Sequence, residues 1–432
     1  MFRRLFVVKI GVLDTLDALY GQTVPITQQG AGPLAVALLT PLAALLAWRE
    51  RSAVLGLALL AACRAAGMAL TMPYTINHML LELVLLVGFA IAAAAPPGPT
   101  RRAESVATAR WAQVIFLSVW FYAGVQKVVH GAYLTGELFG LEAFADDRGM
   151  TLGLSGAVGL MMQVGSGLFG GEVPHVSAAT LTDRVDLALA GWMAPFLIGL
   201  STMIVVVELG LPLLFFVPRA RRAAVVGLGL VQIGIALSSM ELDFAVDNLL
   251  FLILLWPGAA QPEPEARPRA GARRFRDWSA ALLLLWPPVH MALSLALPFS
   301  SWRLFGWGMY ASPDLWRFPD VYQEAQDHRL TPIVPPKGDP ALARAYKPLH
   351  YFPSEARVGH FAQVAAAAAG QPDDGPLVVV VSTPRLDLSL PALYTDAQVF
   401  RVQGEQVQAL GGFSTRDAGF EPSVAALVTG GR

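Results

Sequence analysis

Chemistry-bearing residues in an apolar setting concentrate in Trp120-Phe-Tyr-Ala-Gly-Val-Gln-Lys127-Val-Val-His130-Gly-Ala-Tyr-Leu-Thr-Gly-Glu-Leu138. Lys127 closes an apolar run, with Tyr122 and Gln126 before it and His130 after it. The chain holds four lysines against many arginines, so a lysine inside such a run is informative. A lysine serves as a base near neutral pH only if burial or nearby positive charge draws its pKa down from about 10.4. At the end of a membrane helix it can instead extend its ammonium group to the interface. The local sequence leaves both roles open.

The elements that must position these residues are membrane helices. Of 432 residues, 55% are hydrophobic and 15% charged, and the mean hydropathy is +0.52. Soluble domains carry about 25% charged residues, so an integral membrane protein with some soluble mass is expected. The single cysteine, Cys63, excludes a disulfide within the chain and a cysteine-based metal site. The seven histidines show no ligand spacing, so no metal is expected. No feature points to nucleic acid. Arginine excess and alanine richness suit a high-GC bacterial genome, and hence an inner membrane.

Apolar runs place about nine spans near 5–22, 32–48, 52–72, 77–96, 111–130, 188–217, 223–240, 246–258 and 279–298. The first is polar for a span, with Lys9, Asp14 and Asp17, and reads as a retained helix rather than a signal peptide. Basic clusters at Arg3-Arg4, Arg49–Arg51, Arg101–Arg110, Arg219–Arg222 and Arg267–Arg276 all fall on one side if there are nine spans. The positive-inside rule makes that side cytoplasmic. The N-terminus is then inside, and residues 301–432 form an extracytoplasmic tail.

This topology assigns depth. Asn77 and His78 open one span at the outer side, where Lys127 and His130 end the next; Asp14, Asp17, Glu241, Asp243 and Asp247 lie towards that side too. Arg64 and Glu82 fall at similar depth on antiparallel neighbours and are expected to form a structural ion pair. Glu82 also shares a helix face with His78. Glu208, one turn before Pro212, reads as a helix-packing carboxylate with some scope for proton handling, and His290 as a core histidine beside the kinking Pro287-Pro288.

The outer loop, residues 131–187, includes an apolar stretch, Met150–Gly171, suited to the membrane surface. Its Gly165-Ser-Gly167-Leu-Phe-Gly170 is formally G-x-G-x-x-G, but no strand precedes it and no βαβ unit surrounds it, so it is not read as a dinucleotide site. Residues 259–277 form a Pro/Arg-rich linker. The tail is expected to be a small α+β appendage, with a proline-rich connector, a helix around Phe361–Ala369 and strands at Leu377–Ser382 and Gln398–Gln403. It shows no nucleophile elbow, metal cluster or phosphate loop.

Asn77-His78 at the start of one span and Ala123-Gly-Val-Gln-Lys127 near the end of the next resemble the membrane domain of the vitamin K-dependent gamma-carboxylase family. The wider group is the horizontally transferred transmembrane domain (HTTM) family. Its pattern of an Ala-Gly pair, a lysine, an aromatic residue and a glycine matches Ala123-Gly124, Lys127, Tyr133 and Gly136. The resemblance covers residues 1–310, and makes 1–300 the carboxylase-like membrane domain. It implies oxygenation of a reduced quinone of the menaquinol or vitamin K hydroquinone type. Lys127 would be the base, and the resulting strong base would deprotonate a glutamate side chain for carboxylation. His78 would act beside Lys127, with Asn77, Gln126, Tyr122, His130 and Gln232 lining the quinone site.

The chain departs from the family at several points. Gln126 stands where the carboxylases have a second lysine, Tyr133 where tryptophan is usual, and Gln232 where a histidine is frequent. The large lumenal domain is reduced to the short tail. Two readings stay open: a membrane enzyme with quinol-linked epoxidation or carboxylation chemistry, and a non-catalytic assembly or maturation partner. The second would dock a periplasmic protein or peptide through the tail.

Overall fold

The computed structural model describes residues 2–14, 31–71, 77–131, 133–146, 154–177, 183–238, 242–256, 266–296, 317–336, 339, 341–342, 345–346, 349, 354–371 and 375–430. The chain begins with α1 (Phe2–Lys9), continued by a π-helical turn Ile10–Asp14, then α2 (Ala31–Trp48), α3 (Ala53–Thr71), α4 (Asn77–Ala93) and α5 (Pro99–His130). Next come α6 (Glu137–Phe144), β1 (Ala145–Asp146), α7 (Leu154–Phe169), β2 (Val176–Ser177) and β3 (Val185–Asp186). Four more helices follow: α8 (Met193–Phe215), α9 (Arg221–Ser238), α10 (Leu242–Leu255) and α11 (Ala270–Ala296). The tail contributes β4 (Phe318–Glu324), β5 (Leu330–Ile333), α12 (Glu355–Ala368), β6 (Leu377–Asp387), β7 (Ala392–Gln403), β8 (Gln406–Ser414) and α13 (Phe420–Thr429).

Among the described residues, three helices are long and apolar enough to cross a membrane: Glu50–Ala69, Pro99–Val129 and Met193–Phe215. Ala35–Trp48 and Leu80–Ala93 are shorter apolar helices, and α11 begins with a charged turn. The coarse architecture is therefore mainly helical, with spanning-length apolar helices and a small antiparallel sheet. Asp17, Glu241 and the Trp302–Tyr310 exit from the last apolar run lie outside the described residues, and Asp14, Asp243 and Asp247 are described by backbone alone.

The chain forms two compact units. One comprises Met1–Val129, Ile204–Leu297 and Ser301–Met309; the other His130–Met203, Pro298–Ser300 and Tyr310–Arg432. In the first, Phe6, Leu57, Leu60, Leu85, Ile115, Phe116 and Phe251 are buried together, and the Phe116 and Phe251 rings stack at 4.4 Å between centroids. Small residues let helices approach: a Cβ on Gly56 would overlap the Ala47 backbone, which draws α3 against α2. Leu38, Leu42 and Leu45 on α2, Leu55 and Leu59 on α3, and Leu282 and Leu285 on α11 point outward. So much exposed leucine suits lipid rather than water.

Ion pairs gather basic clusters of the first unit. Arg3 and Arg4 donate to Glu50 Oε1 at 2.9 and 3.0 Å. Glu104, on the first turns of α5, accepts from the Arg269 amide and from Arg276 Nη1, both at 2.7 Å. Arg269 Nη2 donates onward to the Ile91 carbonyl at 2.6 Å. The end of α4 and the starts of α5 and α11 thus meet.

In the second unit, strands run in the order β3-β7-β6-β4-β5, with β8 also on β7, and every pair in this sheet is antiparallel. Val358, Phe361, Ala362 and Ala365 of α12 cover one face over Val379, Val381, Phe400 and Val402. Phe420, Val424 and Val428 of α13 cover the other over Val378, Val380 and Val399. Burial on both faces explains the unbroken Leu377–Val381 run, which alternation would otherwise interrupt. Residues 131–187, read from sequence as an outer loop of the membrane domain, group with this unit: β3 extends the β7 edge through Val185↔Leu393.

Candidate functional site

Lys127 sits in the last turn of α5, and its side chain is buried rather than directed to an interface. Its Nζ donates to both oxygens of Glu208, at 2.5 Å to Oε1 and 2.7 Å to Oε2. Glu208 is carried by α8 and is buried as well. Helix spacing makes the pair possible. A Cβ on Gly124 would lie 2.9 Å from Leu209 Cγ and 3.2 Å from Glu208 Cβ, so only a glycine lets α5 and α8 come this close, one turn before Lys127. Pro212 lies within α8. It has no N–H to offer the Glu208 carbonyl, leaving that backbone oxygen outside the helical ladder.

Glu208 was the partner that depth reasoning missed. Counted from the ends of the apolar runs, Lys127 is near the outer end of one span and Glu208 deep in the next. The run containing Glu208 is overlong, however, and Met193–Met203 of α8 belong to the second unit. Glu208 therefore lies about one turn past the point where α8 enters the first unit. The unusual length of that run was the available signal.

Gln126, next to Lys127, is buried. Gln232 on α9 is fully buried, and neither end of its amide has a hydrogen-bond partner among the described residues. Gly227 of α9 packs against Leu211 of α8, where a Cβ would lie 3.0 Å from Leu211 Cδ1. Counting from that contact, Glu208 is three residues along α8 and Gln232 five along α9. At about 1.5 Å per residue their heights agree to about 3 Å. Tyr122 is otherwise engaged, donating its hydroxyl to the Leu284 carbonyl at 2.9 Å. Asn77 and His78 open α4 and His130 ends α5, but only their backbones are described, so their side chains lie outside this geometry.

Arg64 and Glu82 are an ion pair, and Lys9 joins them: both cations contact the fully buried Glu82 carboxylate. This trio ties α1, α3 and α4 together. His290 is buried, with its ring 6.0 Å from that of Trp286. Among the described residues, no three His, Cys, Asp or Glu side chains form a metal-holding group.

The rest of the opening motif belongs to the second unit. Gly131 ends α5 with φ +74°, the left-handed cap that favours glycine. Tyr133 is buried edge-on against Phe139, 5.3 Å between centroids. Gly136, at φ +75°, approaches the Leu197–Ile198 backbone so closely that a Cβ would lie 3.1 Å from it. Glu137 accepts from Arg385 Nε at 2.6 Å, Arg385 Nη2 at 3.2 Å and the Leu386 amide at 3.3 Å. Burial pushes the Glu137 carboxyl above its ordinary value, and the opposing pull of Arg385 does not cancel it. Beside this pair, a cavity of about 720 Å³ is lined by Arg317, Ser354, Thr383, Arg385, Gln398 and Phe400, among others.

Gly165-Ser-Gly167-Leu-Phe-Gly170 runs down the last turns of α7 and ends it. Gly165 receives the Trp192 ring, and Gly170 is the left-handed cap at φ +77°. Gly165 thus serves packing and Gly170 termination, while a Cβ on Gly167 would meet nothing within 4 Å.

Comparison with protein families, curated proteins and solved structures yields no match. The reading of the site therefore rests on its geometry. A buried ammonium held by a buried carboxylate has two chemical capacities. It can close a charge pair structurally, or it can pass a proton along the 2.5 Å contact and present an amine and a carboxylic acid.

Proposed function

We propose that this chain is a multi-pass bacterial inner-membrane protein similar to the HTTM and gamma-carboxylase group, and that its Lys127–Glu208 couple exchanges a proton with a lipid-soluble quinol. The observation that carries this reading is that Lys127 is enclosed among helices and held by both Glu208 oxygens, not extended to water. About nine spans, a cytoplasmic N-terminus and an extracytoplasmic tail belong to the same proposal, supported by the joining of basic clusters through Glu50 and Glu104.

The residues present fit a quinol. The Gln232 amide, without a hydrogen-bond partner among the described residues, lies at about the height of Glu208 and offers a donor and an acceptor to a ring oxygen. A bound hydroquinone would supply two electrons and two exchangeable protons. Lys127 would accept a hydroxyl proton in its amine form, with Glu208 holding the compensating proton and fixing the amine's position. The carboxylase-type base is thereby revised: a carboxylate partner, rather than a neighbouring lysine, governs Lys127. The test is oxygen-dependent quinol turnover by purified protein in detergent, comparing wild type with Lys127→Ala. Turnover lost in the variant is expected; no turnover by folded wild-type protein above background sinks the reading.

One observation favours the second reading, a non-catalytic assembly or maturation partner. The 720 Å³ cavity on the sheet of the second unit offers arginine, hydroxyl and amide groups to a periplasmic protein or peptide. Under that reading Lys127–Glu208 is a structural pair alone.

A further inference from the structure

α7 carries an apolar face that the second unit leaves uncovered. Val158 and Met162 turn inward at 1% and 0% exposure, whereas Leu160, Val164 and Leu168 stand at 61%, 55% and 72%. The last three lie at i, i+4 and i+8, a single stripe, flanked by Met161. The helix contains no charged residue over Leu154–Phe169. A stripe of this kind facing water is the exception in folded proteins.

The position of α7 in the chain says what covers it. It lies in the connection between α5 and α8, two of the helices long enough to cross a membrane. Its C-terminal end is fastened to the residue before α8. Trp192 Nε1 donates to the Gly170 carbonyl at 2.9 Å, the Phe169 and Trp192 rings lie 5.8 Å apart, and Trp192 packs on Gly165. Tryptophan at the start of a span marks the membrane–water boundary. The end of α7 is thus held at the level where α8 enters the bilayer, with Phe169 itself 71% exposed.

We propose that α7 lies in the plane of the membrane interface, with Leu160, Val164 and Leu168 among the acyl chains, and anchors the second unit to the lipid surface. The inference rests on the membrane reading of α5 and α8, but not on any catalytic role. Interfacial helices of this type sink about 5–10 Å into the headgroup–acyl boundary.

The test uses the full chain with Cys63→Ser and a single fluorophore-labelled cysteine at Val164, at Leu168 or, as control, at the exposed turn residue Glu405. The protein is reconstituted in phosphatidylethanolamine–phosphatidylglycerol vesicles. Probes at Val164 and Leu168 should be quenched by nitroxide-labelled lipids and shielded from aqueous iodide, while the Glu405 probe responds to iodide. Iodide quenching at Val164 equal to that at Glu405, in protein retained by the vesicles, overturns the α7 inference alone. Shielding from both quenchers, with probe–probe energy transfer, overturns it in favour of a second copy of the chain. Failure of the protein to enter vesicles overturns the membrane reading as well.

Discussion

At Lys127 and Glu208, structural and chemical roles separate through a mutational cycle. Removing one member of a buried pair strands the other charge, at a cost of about 3–5 kcal/mol. Lys127→Met and Glu208→Leu should each lower stability by that amount in thermal unfolding of the detergent-solubilised protein. The double variant, with both charges gone, should regain most of the loss. Quinol turnover should stay absent in the stable double variant if the couple handles protons. Turnover that survives there would show the pair to be structural. The Arg64–Glu82 contact was readable from sequence because both residues sit in runs of ordinary length, where depth counting works. Lys9 was not, because the polar first segment gave no firm depth from which to reach Glu82.

Elements position these residues through close approach, and Gly124 is the point at which α5 and α8 meet. Gly124→Ala should cost about 1–3 kcal/mol by overpacking against Leu209. In a thermal melt the change should be larger than for Gly210→Ala on α8, where a Cβ meets nothing within 4 Å. The apolar runs revealed most helices, since lipid-facing and core-facing leucines both mark them. The strands were harder to read. β4 and β5 contain Pro319 and Pro332, which gave the segment the look of a connector. The sheet tolerates them because Pro332 is on the edge strand β5 and Pro319 is near the start of β4. Elsewhere in this unit, Glu137 binds 248 residues along the chain to Arg385, a pairing that no local pattern announces. Its carboxyl is raised above its unfolded value, so the folded state binds more protons and stability falls as pH rises through that range. In Arg385→Met the opposing guanidinium is gone. The variant should lose on the order of 3 kcal/mol at pH 7 and recover part of it as the pH is lowered and Glu137 protonates. A pH-independent loss in denaturant melts would refute this account.

For the molecule as a whole, the two units pose a question of sidedness. The first has outward leucines and joined basic clusters; the second has a sheet with helices on both faces. Under the proposed nine-span topology, Arg273, in the basic turn of α11, would face the cytoplasm and the sheet the opposite side. In a Cys63→Ser background, a cysteine at Glu405 should react with a membrane-impermeant maleimide in intact cells, whereas one at Arg273 should react only after permeabilisation. Both positions are exposed, so reactivity reports sidedness rather than burial. Labelling of Glu405 only after lysis would put the sheet in the cytoplasm and remove the periplasmic partner from the second reading. It would also turn the α7 face towards the inner leaflet, leaving its lipid contact intact but reversing its side.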